Sequence, residues 1–182
     1  MQRGAAVKHL VLVGLMGAGK STVGRACARA LDRPFVDVDD VVETTAHRPV
    51  AEIFATDGET AFRALERAAL ADVCASPQPL VIACGGGAMG DADNRRRVRA
   101  DGCVVWLTAD PATLAARVGQ GAARDRRPLL AGGDAPVATL ERLASLRAPA
   151  YEAAAHATVD TAGLTVDEVA ARVLEELARC RG

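Results

Sequence analysis

The chain has 182 residues, 50% of them apolar, and a formal net charge of −1. This length and apolar content suffice for one sizeable buried core, so a single domain spanning residues 1–182 is expected. The near-neutral charge and the 3% aromatic content argue against a nucleic-acid-binding protein, which needs basic surface and stacking rings. No segment approaches the roughly 20 apolar residues that span a bilayer, which argues against a membrane protein.

Short apolar runs alternate along the chain with longer stretches of helical spacing. The runs predict strands at residues 10–13, 35–38, 80–83, 104–107 and 158–160. The longer stretches predict helices at residues 21–31, 58–75, 91–100, 111–118, 136–154 and 166–179. This alternation predicts an α/β fold with a mostly parallel sheet covered by helices on both faces. Ligands of such folds bind at the carboxyl ends of the strands.

Two stretches interrupt the alternation. Residues 39–57 (DDVVETTAHRPVAEIFATD) predict two short helices broken near 47–49, inserted where one crossover helix would suffice. We expect a substrate-binding subdomain over about 39–75. Residues 119–133 (GQGAARDRRPLLAGG) are rich in glycine and arginine, a composition typical of a mobile surface segment, and predict a lid.

The five cysteines are scattered and form no metal-ligand spacing; they are Cys27, Cys74, Cys84, Cys103 and Cys180. Their odd number and their spacing favour reduced thiols. We therefore expect a cytoplasmic protein.

Residues 14–22 (GLMGAGKST) match the phosphate-binding pattern GxxxxGK[ST], after a predicted strand and before a predicted helix. The glycines allow successive backbone N–H groups to face one phosphate group, together with the helix N-terminus. Lys20 would neutralise the β- and γ-phosphates, and Ser21 would offer its hydroxyl to magnesium. The alternative is a glycine-rich turn with an incidental lysine, which the flanking elements disfavour.

Acidic side chains end the second predicted strand. Strand alternation sends Asp37 and Asp39 to the same side, where one could support magnesium and the other could accept a proton from a substrate hydroxyl. The alternative is that Asp37, Asp39 or Asp40 caps the following helix.

Further candidates are arginines and a run of glycines. Arg63 lies one helical turn before Glu66 and could clamp a carboxylate, although a surface ion pair is the common alternative. The glycines 85–87 follow a strand and allow close approach of a ligand, although they could simply form a flexible turn. Arg127 and Arg147 could reach a phosphoryl group and a substrate anion, or could be solvated.

These motifs together resemble the shikimate kinase family over almost the whole chain. Six blocks occur in the family's order and at comparable spacings: GLMGAGKST, FVDVDDVVE, IFATDGETAFRALE, CGGGA, RRPLLAG and LRAPAY. The resemblance implies a three-layer P-loop kinase fold with a five-stranded parallel sheet, a substrate subdomain and a mobile lid. It implies ATP-dependent phosphorylation of shikimate to 3-phosphoshikimate in the chorismate pathway to aromatic amino acids, with Mg²⁺ as cofactor.

The resemblance also implies a role for each matching residue. The catalytic residues would be Lys20, Asp39 and Arg127. The ATP-binding residues would be Gly17, Ala18, Gly19, Lys20, Ser21, Thr22 and Arg127. The substrate-binding residues would be Asp39, Arg63, Gly85, Gly86, Gly87 and Arg147. The metal-binding residues would be Ser21 and Asp37.

Phe54 and Phe62 would form apolar walls of the substrate pocket. The chain departs from the family in a longer stretch between Arg117 and Arg127 and in the loop 160–164, which lacks the usual Arg and Pro, so adenine contacts stay unassigned. We expect a monomer that binds a small molecule and neither nucleic acid nor membrane. The alternatives are a gluconate- or nucleotide-type kinase and a catalytically silent nucleotide-binding regulator.

Overall fold

The computed structural model describes residues 8–120 and 136–180, without the side chains of residues 101 and 120. The described residues form one five-stranded sheet in the order β2-β3-β1-β4-β5, with every neighbouring pair parallel. The strands are β1 His9–Val13, β2 Phe35–Asp37, β3 Val81–Ala83, β4 Gly102–Thr108 and β5 Ala157–Asp160. The expected α/β fold with a five-stranded parallel sheet is confirmed.

Helices connect the strands. They are α1 Lys20–Leu31, α2 Val38–Ala46, α3 Val50–Thr56, α4 Gly58–Cys74, α5 Ala92–Asp101, α6 Pro111–Gln120, α7 Pro136–Ala154 and α8 Val166–Cys180, with a 3₁₀ turn at Ala88–Gly90. Helix α1 packs against α8, whereas α5 packs against α4 and α7. None of the described helices is long and apolar enough to cross a membrane.

The core lies in the central strands. All five residues of β1 and all three of β3 are buried, as expected where helices cover both faces of a parallel sheet. Leu12 pairs with Ala83 on one side and Val105 on the other, so β1 is the centre of the sheet. The residues that follow β1 and β3 therefore emerge side by side at one edge.

The inserted segment forms two short helices, as the sequence predicts. Helix α2 is capped at its C-terminus by His47, whose φ of 53° is left-handed, and α3 begins after Pro49, so the break lies at 47–49. One boundary differs: β2 ends at Asp37, and Val38 already begins α2. Asp39 therefore lies in the first turn of a helix, and the argument from strand alternation is wrong.

Cys103 and Cys180 form a disulfide, with their Cα atoms 6.0 Å apart. The bond joins the start of β4 to the end of α8 across 77 residues of sequence. The expectation that these two cysteines are reduced is wrong, because the fold brings together positions that the sequence spacing does not relate. Cys27, Cys74 and Cys84 are not part of this disulfide.

Candidate active site

A cavity of about 620 Å³ opens at the carboxyl ends of β1, β2 and β3. It is lined by the phosphate-loop motif, the start of α2, α4, the glycine turn after β3, and side chains from α6 and α7. Most of the sequence-predicted site residues line it: Gly17, Ala18, Gly19, Lys20, Ser21, Thr22, Asp37, Asp39, Arg63, Gly85, Gly86, Gly87 and Arg147. Arg127 and residues 121–133 of the predicted lid lie outside the described residues.

The loop between β1 and α1 has the geometry that its glycines predict. Gly14, Gly17 and Gly19 have φ values of 140°, 81° and 91°, which disfavour residues with a Cβ. A Cβ on Gly17 would also lie 2.7 Å from the carbonyl oxygen of Leu114. Gly19 is the N-cap of α1 and offers no side-chain hydrogen bond, so the first N–H groups of that helix are left for an anion.

Ser21 and Asp37 both line the cavity and are hydrogen-bonded to each other. The Ser21 hydroxyl donates a hydrogen bond to Asp37 Oδ2 at 2.7 Å, and Asp37 Oδ1 accepts one from the Asp39 backbone N–H at 3.2 Å. Asp37 is thus also the N-cap of α2. Asp37 can therefore cap α2 and also take part in the site, because its Oδ1 contacts the backbone of α2 while its Oδ2 contacts Ser21.

The Asp39 carboxylate is half-buried beside this pair. Its Oδ1 is shielded from solvent and has no hydrogen-bond partner among the described residues. Burial, together with the negative charges of Asp37 and Glu66, raises the pKa of Asp39 to about 7, although Lys20 and Arg63 oppose the shift. A carboxylate with such a pKa can exchange a proton near neutral pH.

Arg63 is held by two carboxylates on its own helix. Its Nη1 lies 2.7 Å from Glu66 Oε2, and its Nη2 lies 3.0 Å from Glu59 Oε1. The Glu66 side chain is 1% exposed, whereas that of Glu59 is 59% exposed. The ion pair with Glu66 is therefore buried at the cavity, which excludes the alternative of a surface pair.

Each glycine of the 85–87 turn contacts a different charged side chain. A Cβ on Gly85 would lie 2.3 Å from Glu66 Oε1 and 2.8 Å from Asp39 Oδ1, and one on Gly87 would lie 2.3 Å from Arg63 Nη2. Cβ atoms do not approach polar atoms this closely. Glycine is needed at these positions because charged groups of α2 and α4 occupy the space that a side chain would take. The need for close packing, rather than for a flexible turn, accounts for these glycines.

Two aromatic rings flank the charged groups. Phe54 of α3 and Phe62 of α4 have ring centroids 4.6 Å apart, and the Arg63 guanidinium carbon lies 5.1 Å from the Phe62 centroid. Both rings line the cavity. They form an apolar wall next to the arginine.

The opposite end of the cavity is lined by α6 and by the segment after β5. Arg117 donates hydrogen bonds to the Thr161 hydroxyl at 2.7 Å and to the Thr161 carbonyl at 2.8 Å. Leu164 and Val169 line the cavity beside them. The planar guanidinium of Arg117 and the apolar side chains of Leu164 and Val169 thus line the same part of the cavity wall.

Comparisons with known proteins agree on one family. The family model described as shikimate kinase matches residues 16–178. The shikimate kinase of Symbiobacterium thermophilum is 46% identical over 169 residues, which are 93% of this chain and 95% of that protein. The chain belongs to the shikimate kinase family.

Solved structures agree with this membership. Shikimate kinase from Acinetobacter baumannii, in complex with shikimate, is 33% identical and superposes with a TM-score of 0.90 over 97% of this chain and 96% of that one. A gluconokinase from Sinorhizobium meliloti 1021 reaches a TM-score of 0.63 at 23% identity over 97% and 95%, which shows a shared fold alone. The chain is therefore a kinase, and the alternative of a gluconate-type family is not supported.

Sequence reasoning overlooked two features of this kinase site. Tyr151 is 1% exposed and its hydroxyl donates a short hydrogen bond to the Gly86 carbonyl, yet it was noted only as the end of the LRAPAY block. Thr161 is 2% exposed and fixes Arg117, within a loop noted only for lacking Arg and Pro. The signal for Tyr151 was its spacing, four residues after Arg147 and hence on the same helical face.

Proposed function

We propose that this kinase transfers the γ-phosphoryl group of ATP to a hydroxyl of shikimate and forms 3-phosphoshikimate for the synthesis of chorismate and aromatic amino acids. One observation carries the proposal. The buried, unpaired Asp39 oxygen lies in the same cavity as the phosphate loop and the cavity-lining Arg63 and Arg147. An anionic polyol fits such a site, because it offers a carboxylate for the guanidinium groups and a hydroxyl for the aspartate.

Arg63 and Arg147 are proposed to bind the substrate carboxylate. Arg63 keeps its orientation through Glu59 and Glu66. The side chains of both arginines pack against the glycine turn, and Arg147 Nη1 would lie 3.1 Å from a Cβ added to Gly86. The absence of side chains at Gly85, Gly86 and Gly87 leaves room for the charged groups that would face a small ring. Phe54 and Phe62 would cover the apolar face of that ring.

Asp39 is proposed as the base. Its free Oδ1 would accept a hydrogen bond from the reacting hydroxyl and then its proton as the bond to phosphorus forms. Lys20 would stabilise the negative charge that develops on the transferred group. Because phosphoryl transfer depends mainly on positioning and charge, these few residues suffice for the chemistry.

The phosphate loop is proposed to bind ATP through Gly17, Ala18, Gly19, Lys20, Ser21 and Thr22. The part of the cavity lined by Arg117, Thr161, Leu164 and Val169 would take the nucleobase, since a planar guanidinium and apolar side chains suit a flat ring. Arg127 as a phosphate ligand, a lid at 119–133, a substrate subdomain at 39–75, a monomer and a cytoplasmic location stay predictions from the sequence.

The oxygen donors of Ser21 and Asp37 fit a magnesium ion. Mg²⁺ in kinases is held by one or two protein oxygens together with water and phosphate oxygens, so a hydroxyl beside a carboxylate is sufficient. When bound, the ion would neutralise charge on the nucleotide phosphates. The donor set matches this hard cation, because it contains oxygen and no sulfur or imidazole.

The pKa of Asp39 predicts the pH dependence of the reaction. A base with a pKa of about 7 is protonated at lower pH, so kcat/KM for shikimate is expected to fall as the pH decreases below about 7. Glu66→Gln removes a negative charge that raises this pKa and should move the acid limb to lower pH. Profiles of kcat/KM from pH 5 to 9 measure both effects.

Glu59→Gln is the matched control for this profile. Glu59 is the other carboxylate partner of Arg63, and it is not among the groups that shift the pKa of Asp39. In this variant, we expect kcat/KM to fall at the same acidic pH as in the unmodified protein. If the acidic fall of kcat/KM did not move in Glu66→Gln, or moved equally in both variants, a direct effect of Glu66 on Asp39 would be contradicted.

The function is tested by ADP release with Mg²⁺ and ATP. Shikimate is compared with quinate, gluconate, nucleoside monophosphates and no acceptor. The proposal requires release that depends on shikimate. Release with another acceptor would leave the phosphate loop in place and overturn the substrate, and ATP binding without acceptor-dependent release would favour the nucleotide-binding regulator.

A further inference from the structure

One buried hydroxyl at the glycine turn has no part in the reaction outlined above. Tyr151, on α7, is 1% exposed, and its hydroxyl donates a short hydrogen bond to the Gly86 carbonyl. The Arg147 side chain, one helical turn earlier, lies beside this hydroxyl and opposes the rise of its pKa that burial causes. The hydroxyl thus lies between the backbone of the turn and an arginine of the cavity.

These three groups meet in a small volume. A Cβ on Gly86 would lie 3.1 Å from Arg147 Nη1 and 3.8 Å from the Tyr151 hydroxyl. It would also lie 3.6 Å from the carbonyl oxygen of Gly14, the first residue of the phosphate loop. The turn that receives the substrate therefore touches the loop that receives ATP.

The ring of Tyr151 fixes the position of its hydroxyl. It packs against Trp106 of β4, with ring centroids 5.5 Å apart and planes at 37°. The Trp106 ring in turn reaches the start of the phosphate loop, because a Cβ on Gly14 would lie 3.4 Å from Trp106 Cδ1. With its ring packed against Trp106 and its hydroxyl hydrogen-bonded to the Gly86 carbonyl, Tyr151 has little freedom.

Arg147 needs such a support more than Arg63 does. Arg63 is oriented by Glu59 and Glu66, whereas no salt bridge joins Arg147 to a carboxylate within residues 8–120 and 136–180. A neutral hydroxyl beside a guanidinium adds no opposing charge. Arg147 therefore attracts an incoming anion more strongly than it would with a directly bonded carboxylate.

We propose that Tyr151 is a positioning residue that holds Arg147 and the Gly86 carbonyl in the geometry required by the substrate carboxylate. This inference rests on the proposed function. It assigns to the aromatic pair of Trp106 and Tyr151 the task of fixing the carboxylate end of the substrate against the phosphate loop.

Tyr151→Phe tests the hydroxyl while it keeps the ring. The KM for shikimate is expected to rise about tenfold or more, since the buried hydrogen bond that fixes the glycine turn beside Arg147 is lost. The KM for ATP and the kcat should change less than about twofold. Ser145→Ala is the matched control, because it removes another hydroxyl of α7, one that is exposed and donates a hydrogen bond to the Glu141 carbonyl of its own helix.

A double-mutant cycle separates positioning from packing. In an Arg147→Ala background, Tyr151→Phe should raise the KM for shikimate by a clearly smaller factor, because one of the two groups that it positions is already absent. An equal cost in both backgrounds would overturn the proposal, as would an unchanged KM in the single variant. Loss of all shikimate-dependent ADP release in the unmodified protein would instead refute the proposed function.

A spectroscopic test avoids substitution of Tyr151. The chain has one tyrosine, so growth on 3-fluorotyrosine labels this ring alone. The single fluorine resonance should shift when shikimate is added, and it should shift much less in Arg147→Ala at a shikimate concentration that still saturates the site. An unshifted resonance in the labelled, active protein would show that Tyr151 does not sense the carboxylate.

Discussion

Replacing Asp39 by asparagine is expected to leave ATP binding intact and to reduce phosphoryl transfer to shikimate by about 10²–10⁴-fold. Asparagine has nearly the same shape and can still contact a hydroxyl, but its amide accepts no proton. Single-turnover measurement of the transfer step, together with ATP titration, separates the two effects. A transfer rate equal to that of the unmodified protein would remove Asp39 from the mechanism.

The same substitution should stabilise the fold at alkaline pH. The pKa of Asp39 is about 7 in the folded protein and 3.8 in an unperturbed chain, so the fold disfavours the ionised form. The resulting loss of stability begins as the pH rises above about 4 and is complete above about 7. Asparagine carries no charge and escapes this loss.

Thermal unfolding checks this expectation. Three pKa units correspond to about 4 kcal/mol, which solvent screening at a half-buried side chain reduces to about 1–2 kcal/mol. We expect Asp39→Asn to unfold at a temperature a few degrees higher than the unmodified protein at pH 8, with a smaller difference at pH 5. A gain in stability with a loss of transfer is typical of a residue kept for chemistry. A difference that is equal at both pH values would show that the charge of Asp39 is not its cause.

The sequence predicted the sheet and the phosphate loop because both depend on local patterns. Buried strands of a parallel sheet are short apolar runs, and the loop motif has a fixed spacing between a strand and a helix. Asp37 and Asp39 were assigned to the cavity by an incorrect argument. The helix α2 begins one residue after the strand, at Val38, and its first turn brings Asp39 back toward the loop.

The remaining features depend on contacts between distant parts of the chain. The hydrogen bonds of Arg117 to Thr161 span 44 residues, and that of Tyr151 to Gly86 spans 65. The Cys103–Cys180 disulfide spans 77. No local pattern encodes such partners. The burial that turns Glu66 from a surface residue into a neighbour of Asp39 likewise arises only when α4 packs on the glycine turn.

Gly85→Ala is expected to damage the substrate end of the site while sparing the nucleotide end. The new Cβ would lie 2.3 Å from Glu66 Oε1 and 2.8 Å from Asp39 Oδ1, so both side chains must move. Since displacement of a catalytic group by about 1 Å can cost a hundredfold in rate, kcat/KM for shikimate should fall by about that factor. ATP affinity should stay within about twofold, because the atoms nearest to the added Cβ belong to Glu66 and Asp39.

Gly90→Ala distinguishes this contact from a general effect of alanine in the segment. Gly90 ends the 3₁₀ turn five residues later, has no atom within 4 Å of an added Cβ, and, like Gly85, does not have a positive φ. It should retain the activity of the unmodified protein. Because the atoms facing Gly85 are the ends of two side chains, the fold should survive in both variants. If Gly85→Ala kept full activity, the two carboxylates would not need their present positions, and a role for Asp39 as the positioned base would be contradicted.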